Sequence, residues 1–130
     1  MPATTPLTIG AASIREKGGL YCLCDVHRAS GWSHEHHPKQ WLRLLQTKEL
    51  IASLQAEVAA SIAAARPDAP VPASELEKIS KAHPVMVTRG ATGAWVCPEL
   101  AIAYAAWISP AFHMKVLRTL MGVFITQGLT

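Results

Sequence analysis

The sequence has 130 residues, a length typical of one domain with a sizeable core. Half of the residues are hydrophobic, and the formal net charge of +3 is only mildly basic, so it permits nucleic-acid binding without requiring it. No apolar run reaches the ~18 residues of a spanning helix, and no basic segment with an apolar core marks a secretory signal. The three cysteines suggest no disulfide framework, so we expect a reducing cytoplasm.

The N-terminal part of the chain is predicted to hold a hairpin and a short helix. Residues 1–10 show little pattern and are predicted to be a loose lead-in, with the folded domain spanning residues 11–130. A strand begins at Ile14, the turn Lys17-Gly18-Gly19 reverses the chain, and a second strand returns it. A short helix from Asp25 to Ala29 follows.

A histidine-rich loop over residues 32–38 leads into the next helices. Pro38 suits a helix start because the N–H that it lacks is not needed there, so we predict a short helix over Lys39–Leu45. Thr47 is predicted to cap a longer helix. The apolar residues of that helix recur every three or four positions and form one core-facing stripe: Leu50, Ile51, Leu54, Val58 and Ile62.

A proline-rich linker over residues 66–72 separates this helix from the next one. Ser74 and Glu77 have the spacing of a capping box, in which each side chain accepts a hydrogen bond from the backbone N–H of the other's position. The sequence therefore predicts a short helix that begins at Ser74 and ends near Ala82.

The C-terminal part begins with two short strands around Val87 and Trp95, joined by the turn Arg89–Gly93. An almost wholly apolar helix is predicted from Pro98, and a final helix from Pro110 to about residue 127. The apolar face of the final helix is wide, which indicates contact with a second copy or with a downstream domain. Its members are Phe112, Val116, Leu120 and Phe124, with Leu117, Met121 and Ile125 beside them.

The segment Gly93-Ala94-Trp95-Val96-Cys97-Pro98-Glu99-Leu100-Ala101, followed by Trp107-Ile108-Ser109-Pro110, resembles the signature of the KilA-N domain. That family is a DNA-binding module of bacteriophages and large DNA viruses. The pattern Ile-Arg-x-x-x-Gly-x-Tyr from Ile14 and the segment Trp41-Leu42-Arg43 also resemble the family. The chain departs at Cys97, where a histidine is usual, and at Cys24, where Thr or Asn usually caps the short helix. We expect Asp25 to take over that cap.

The resemblance implies an α+β fold, in which small hairpins pack on about five helices, as in the related fungal APSES domains. It implies non-catalytic binding of double-stranded DNA by a phage or prophage regulatory protein in the cytoplasm of a bacterial host. It implies no cofactor and no metal. Some family members are antirepressors, so the alternative is a protein-interaction module that sequesters a repressor, with the final helix as its contact face.

A helix-turn-helix-like unit and a wing would form the DNA-binding surface. The two short helices flank the histidine-rich loop, and the glycine-rich hairpin at Arg89 is the wing; such units insert the start of their second helix into the major groove. Residues 27–48 contain four cations against one acid. The candidate DNA-binding residues are Lys39, Gln40, Arg43, Lys48, Arg89, His36 and His37. We expect Arg43→Ala to weaken DNA binding with little effect on the melting temperature.

The cysteines and histidines raise two chemical alternatives. The cysteines and the histidines of the loop could together form a zinc site. Cys22 and Cys24 are separated by one residue, a shorter gap than is usual in zinc knuckles, so this alternative stays open but is not favoured. Cys97 precedes a helix, where the thiol pKa is lowered, yet no His–Asp pair accompanies it as in a cysteine enzyme. Trp41, Trp95 and Trp107 lie in apolar segments and are predicted to be core residues.

Overall fold

The computed structural model describes residues 7–9, 12–66 and 71–128, apart from the side chains of Leu7, Thr92 and residues 124–128. These residues form six helices and two small antiparallel sheets, which confirms the α+β prediction. The helices are α1 (Leu23–Ala29), α2 (Pro38–Arg43), α3 (Leu45–Ala64), α4 (Ala73–Ala82), α5 (Pro98–Ile108) and α6 (Pro110–Gly128). The strands are β1 (Leu7–Ile9), β2 (Ala12–Ile14), β3 (Glu16–Lys17), β4 (Leu20–Cys22), β5 (Met86–Thr88) and β6 (Ala94–Val96).

Two hairpins that are distant in sequence join into one four-stranded sheet of order β3-β4-β6-β5. The join is the antiparallel pair β4–β6, in which Tyr21 lies opposite Val96 and Cys22 opposite Trp95. Strand β5 then pairs with β6, so the hairpin at Arg89 is one edge of this sheet. The hairpin of β3 and β4 is therefore held directly against the hairpin that was predicted to be the wing.

The first described strand corrects the prediction of a loose lead-in over residues 1–10. Leu7–Ile9 pairs with Ala12–Ile14, so Ile14 faces this strand and not the return strand β4. Ile9 is buried, and β1 packs against α6. Residues 1–6 and 10 of the lead-in lie outside the described part of the chain. Short alternating patterns are easily missed when, as here, most of the residues around them are polar or proline.

Prolines mark the helix starts that the sequence predicted correctly. Pro38, Pro98 and Pro110 each occupy the first position of a helix. The hydroxyl of Ser109 accepts a hydrogen bond from the N–H of Phe112 at 3.1 Å, as an N-cap does. Proline fixes its own φ and needs no donor, so its signal is local and does not depend on packing.

Three predicted helix caps are wrong. Helix α3 begins at Leu45, directly after an extended Leu44, and Thr47 is buried in the first turn instead of capping it. Helix α4 begins at Ala73, so Ser74 lies inside the helix and forms no capping bond. Helix α1 begins at Leu23 without a side-chain cap, and the carboxylate of Asp25 serves another purpose, described below.

The core lies around α5, as its apolar sequence predicted. Tyr104 and Leu100 of α5 are fully buried, and α6 covers them with one apolar face. The predicted stripe of α3 packs against the same core only in part, because Leu50 at its beginning is exposed. The buried core residues on the other elements include Ile14, Val26, Trp41, Val85, Val96, Phe112, Val116 and Leu120. No helix among the described residues is long and apolar enough to cross a membrane.

Candidate nucleic-acid interface

Helix α2 presents its two cations to solvent. Lys39 and Arg43 are exposed and lie one turn apart, so they share a face of the helix. Among the described residues, neither side chain forms an ion pair with a carboxylate. Trp41, between them in sequence, is buried and anchors the opposite face of α2 in the core. The structure therefore leaves Lys39 and Arg43 available to an external anion.

The start of α2 is fixed by the side chains around it. His37 is the N-cap, and its Nδ1 atom accepts a hydrogen bond from the N–H of Lys39 at 3.1 Å. The side-chain amide of Gln40 donates to the carbonyl oxygen of His34 at 3.1 Å. Gln40 would have to release that bond before it could pair with a base. A fixed helix start holds Lys39 and Arg43 in one orientation.

The histidines of the loop have contacts within the domain. Burial, together with the neighbouring charges of His27, Lys39 and His34, lowers the pKa of His37 below its ordinary value. The carbonyl oxygen of His36 accepts a hydrogen bond from the buried hydroxyl of Tyr104. The imidazole ring of His36 lies edge-on to the ring of Trp107, with the centroids 5.3 Å apart. His36 and His37 therefore have clear roles in holding the loop, and their expected phosphate contacts remain a prediction.

Asp25 joins the two arginines at the beginning of the domain. Its carboxylate is 1% exposed and accepts three bonds from Arg15: from the backbone N–H at 2.9 Å, from Nε at 2.9 Å and from Nη2 at 3.1 Å. It accepts a fourth bond from Arg28 Nη2 at 3.1 Å. Burial raises the pKa of Asp25, but the bonds and charge of Arg15 outweigh this effect, so the pKa lies below its ordinary value.

Arg15 and Arg89 both lie over the indole ring of Trp95. The guanidinium carbon of Arg15 is 5.8 Å from the ring centroid, and that of Arg89 is 5.6 Å away. Such cation–π contacts orient a guanidinium while leaving much of it in solvent. Trp95 itself is buried, as predicted, in a small cluster with Leu20 and Cys22 beneath the hairpin. The hairpin therefore carries its arginine next to a second one that the sequence had not assigned.

Helix α1 and the hairpin meet at Gly93. An ideal Cβ atom on Gly93 would lie 2.9 Å from Cys24 Sγ, closer than real Cβ contacts come. Lys39 and Arg15 both act electrostatically on the Cys24 thiol, whose pKa burial nevertheless raises. Cys24 is thus the residue of α1 that lies against the hairpin at Gly93. The structure brings Arg15 and the hairpin together over the ring of Trp95, whereas Lys39 lies at the start of α2 and Lys48 lies on α3 beyond the break at Leu44.

Arg15 and Arg28 are the residues that sequence reasoning left off the candidate list. Arg15 belongs to the Ile-Arg pattern near the N-terminus, which was the one signal that could have drawn attention to it. Their side chains are 54% and 45% exposed, so each guanidinium keeps a face toward solvent while Asp25 holds the other. Both arginines pair with the buried carboxylate of Asp25, and the spacing of these residues in the sequence does not reveal that pairing.

The chemistry of the cysteines differs from that of a reactive site. Cys97 is the N-cap of α5, as predicted, but burial, assisted by the charge of Glu99, raises the pKa of its thiol to about 11. A thiol with that pKa is almost entirely protonated near pH 7 and is a poor nucleophile. Over the described ranges, no group of three or more His, Cys, Asp or Glu residues is arranged to hold a metal ion.

The comparison with known families confirms the resemblance. The model of the KilA-N domain matches residues 7–123, which is most of the chain. The chain belongs to the KilA-N domain family. It is also 35% identical over 120 residues to the protein kilA of Escherichia phage P1. That alignment covers 91% of this chain but only 37% of the phage P1 protein. No solved structure matches the chain significantly.

The KilA-N match begins at the strand Leu7–Ile9, which the sequence prediction had placed in the lead-in. The match also includes α1, α2 and the Arg89 hairpin in one unit. The KilA-N domain is a domain of the DNA-binding type found in phages. The activity of the whole phage relative does not carry over, because the chain spans little more than a third of its length.

Gly93→Ala is expected to destabilise this KilA-N domain by about 2 kcal/mol or more, because φ of +78° with ψ of −146° is almost confined to glycine. The added methyl would also collide with Cys24 Sγ. Gly18→Ala is the matched control: φ is +61°, but nothing lies within 4 Å of its Cβ, so only the backbone cost of roughly 1 kcal/mol applies. Chemical unfolding of both variants measures the difference, and equal losses would contradict this account of Gly93.

Proposed function

We propose that this chain is a non-catalytic domain that binds double-stranded DNA in a phage or prophage regulatory protein. The observation that carries the proposal is the exposed pair Lys39 and Arg43 on one face of α2, free of carboxylate partners among the described residues. Family membership supports the same conclusion, because the KilA-N domain is of the DNA-binding type.

The arrangement of the charges suits a duplex better than a small anion. Lys39 and Arg43 lie on helix α2, while Arg89 and Arg15 lie over the ring of Trp95 on β6. Cations that are spread over several elements match successive phosphates of a backbone, and a helix start beside them can reach base edges. The proposed contacts are Lys39, Arg43 and Arg89, with Lys48, Gln40, His36 and His37 at the margin of this surface.

The absence of catalysis is part of the proposal and has chemical support. The Cys97 thiol, with its pKa of about 11, lacks the thiolate character that covalent catalysis requires. Tyr104 is buried and bonded to the carbonyl oxygen of His36, and burial raises its pKa further above its ordinary value. Neither group is poised to exchange a proton near pH 7.

A second candidate is an antirepressor-type module that binds a repressor protein, and one observation favours it. Two methionines on α6, Met114 and Met121, are 43% and 50% exposed. Methionine is flexible and polarisable, and it is common on surfaces that bind other proteins. Contact through α6 with a second copy or a downstream domain would use these methionines, because Phe112, Val116 and Leu120 of the predicted contact face are buried within the domain. This candidate leaves the exposed cations of α2 without a role, so we favour DNA binding.

Fluorescence anisotropy with a labelled random-sequence duplex tests the proposal, with titrations at several salt concentrations. If three or four cations reach phosphates, the logarithm of the binding constant should fall with the logarithm of the salt concentration with a slope of roughly −3. A folded protein that shows no binding even at low salt would refute DNA binding. A pull-down with immobilised protein would then test the repressor-binding candidate.

A further inference from the structure

One aromatic side chain in the loop between α1 and α2 differs from every other tryptophan of the domain. Trp32 is 57% exposed, whereas Trp41 and Trp95 are buried and Trp107 packs partly against the core. Within the described part of the chain, its indole N–H has no hydrogen-bond partner. A large aromatic ring that stays in water contributes little to folding and is available to a partner.

The backbone at Trp32 is strained. Trp32 is not a glycine, yet its φ is +63°. A bulky side chain adopts that conformation at an energetic cost. The surrounding structure enforces it, since the N–H of Trp32 donates to the carbonyl oxygen of His27 at 3.2 Å. Strain of this kind persists only where neighbouring contacts determine it, and it clusters at binding sites.

The ring of Trp32 is also held in place. It lies edge-on to the imidazole of His27, with the centroids 5.3 Å apart. His27 is buried, and its Nε2 lies 2.7 Å from the carbonyl oxygen of Ser33, so it ties α1 to the loop. A ring that is both exposed and fixed loses little conformational entropy when it meets a partner.

Ring contacts connect Trp32 to the start of α2. His27 lies edge-on to His37 at 5.4 Å, and His37 caps the helix that carries Lys39. Arg28, on the last turn of α1, is nearly half exposed. An exposed ring linked through His27 and His37 to the start of α2, where Lys39 faces solvent, complements a surface that combines apolar sugar edges with phosphates, as a DNA backbone does.

We propose that Trp32 is a DNA-contacting residue, which packs its ring on the sugar edge of the duplex beside α2 while its indole N–H donates to a phosphate oxygen. This inference rests on the proposed function and adds an apolar contact to a surface otherwise described by its charges. Such a contact increases affinity without releasing a counterion. Its removal therefore weakens binding without changing the salt slope, whereas removal of a cation changes both.

Anisotropy titrations with a labelled duplex measure the contact. Trp32→Ala removes the ring at unchanged backbone strain and is expected to weaken binding about tenfold, with the same salt slope as the wild type. Trp32→Phe retains an aromatic ring and should recover most of the affinity. Met114→Ala, which shortens an exposed apolar side chain on α6, is the matched control and should bind as the wild type does.

Two further measurements keep the test independent of folding defects. Trp32→Gly accepts the positive φ without strain, so it folds even if the alanine variant does not, and it should show the same loss of affinity. In the wild type, duplex DNA should protect the exposed tryptophan from quenching by acrylamide, and this protected component should be missing from the variants without Trp32.

Wild-type affinity in both Trp32→Ala and Trp32→Gly, without protection from acrylamide, would overturn the inference and leave DNA binding by the cations intact. A changed salt slope in these variants would also contradict it, because the lost contact would then be ionic. If the folded wild-type protein does not bind duplex DNA at all, the proposed function itself fails, which the titration of the wild type reveals separately.

Discussion

Asp25→Asn is expected to lower the free energy of unfolding by about 2–3 kcal/mol, the largest loss that we expect from a single polar residue. The carboxylate is buried and accepts four bonds from Arg15 and Arg28. The asparagine would lose the charge and direct an amide N–H group at guanidinium donors. Because both arginines are about half exposed, water can solvate them after the change, which keeps the cost below that of a fully buried pair.

The pH dependence of the wild type gives the second half of this prediction. The pKa of Asp25 is depressed in the folded state, so its contribution is fully present above the ordinary carboxyl pKa. The contribution is lost as the pH falls through the folded-state value. The difference in stability between the wild type and Asp25→Asn should therefore be constant near neutrality and shrink below about pH 4.

Urea unfolding at pH 7 and at acid pH measures both effects. Glu75→Gln is the matched control, because Glu75 also contacts two cations, Arg66 and Lys78, but at 3.7 Å and on the surface. Glu75→Gln should lower the free energy of unfolding by no more than about 0.5 kcal/mol. Equal losses for the two variants, or a stability difference that does not depend on pH, would contradict the account of Asp25.

The double substitution Lys39→Ala with Arg43→Ala is expected to weaken binding to duplex DNA by roughly 30-fold or more at low salt. Each lost phosphate contact should also reduce the magnitude of the salt slope by about 1. Both side chains are exposed and unpaired among the described residues, so the melting temperature should change little. Anisotropy titrations at several salt concentrations, together with thermal unfolding, measure these quantities.

Lys78→Ala with Lys81→Ala is the control for the double variant. It removes the same charge from exposed positions of α4, a helix that packs on α3 and contributes none of the proposed contacts. If net charge alone governed affinity, the two double variants would bind equally weakly. A loss confined to the Lys39 and Arg43 variant assigns binding to α2, whereas equal losses would refute that assignment.

Local signals explain what the sequence predicted well. Pro38, Pro98 and Pro110 begin helices for reasons that lie within one residue, and the apolar composition of α5 alone identifies a buried helix. The hairpin around Arg89 was likewise visible, because Gly90 and Gly93 take the positive φ values that its turn requires. None of these features depends on a partner that is distant in sequence.

Tertiary contacts explain what the sequence did not predict. The Ser74 capping box and the Thr47 cap are sound local patterns, but α4 begins at Ala73 and α3 at Leu45, where packing of the chain sets the start. The pairing of β4 with β6 joins residues more than 70 positions apart in sequence, such as Tyr21 and Val96. No short-range rule contains that register.

The same division applies to the candidate site. The cations of α2 could be predicted because composition and helical spacing reveal them. Arg15 could not, because its position depends on the burial of Asp25 and on the ring of Trp95, which the sheet brings to it. The positive φ of Trp32 and the exposure of its ring could not be predicted either, because no pattern in the neighbouring sequence indicates them.

The most direct test of the central claim is to follow the backbone amide NMR signals of the ¹⁵N-labelled protein during titration with a short duplex. We expect the shifts to concentrate on Lys39–Arg43 of α2 and on Arg89–Gly93 of the hairpin, while the signals of α4 stay in place. Shifts confined to α6, or none at saturating DNA, would contradict the assignment of α2 and the hairpin as a DNA-binding surface.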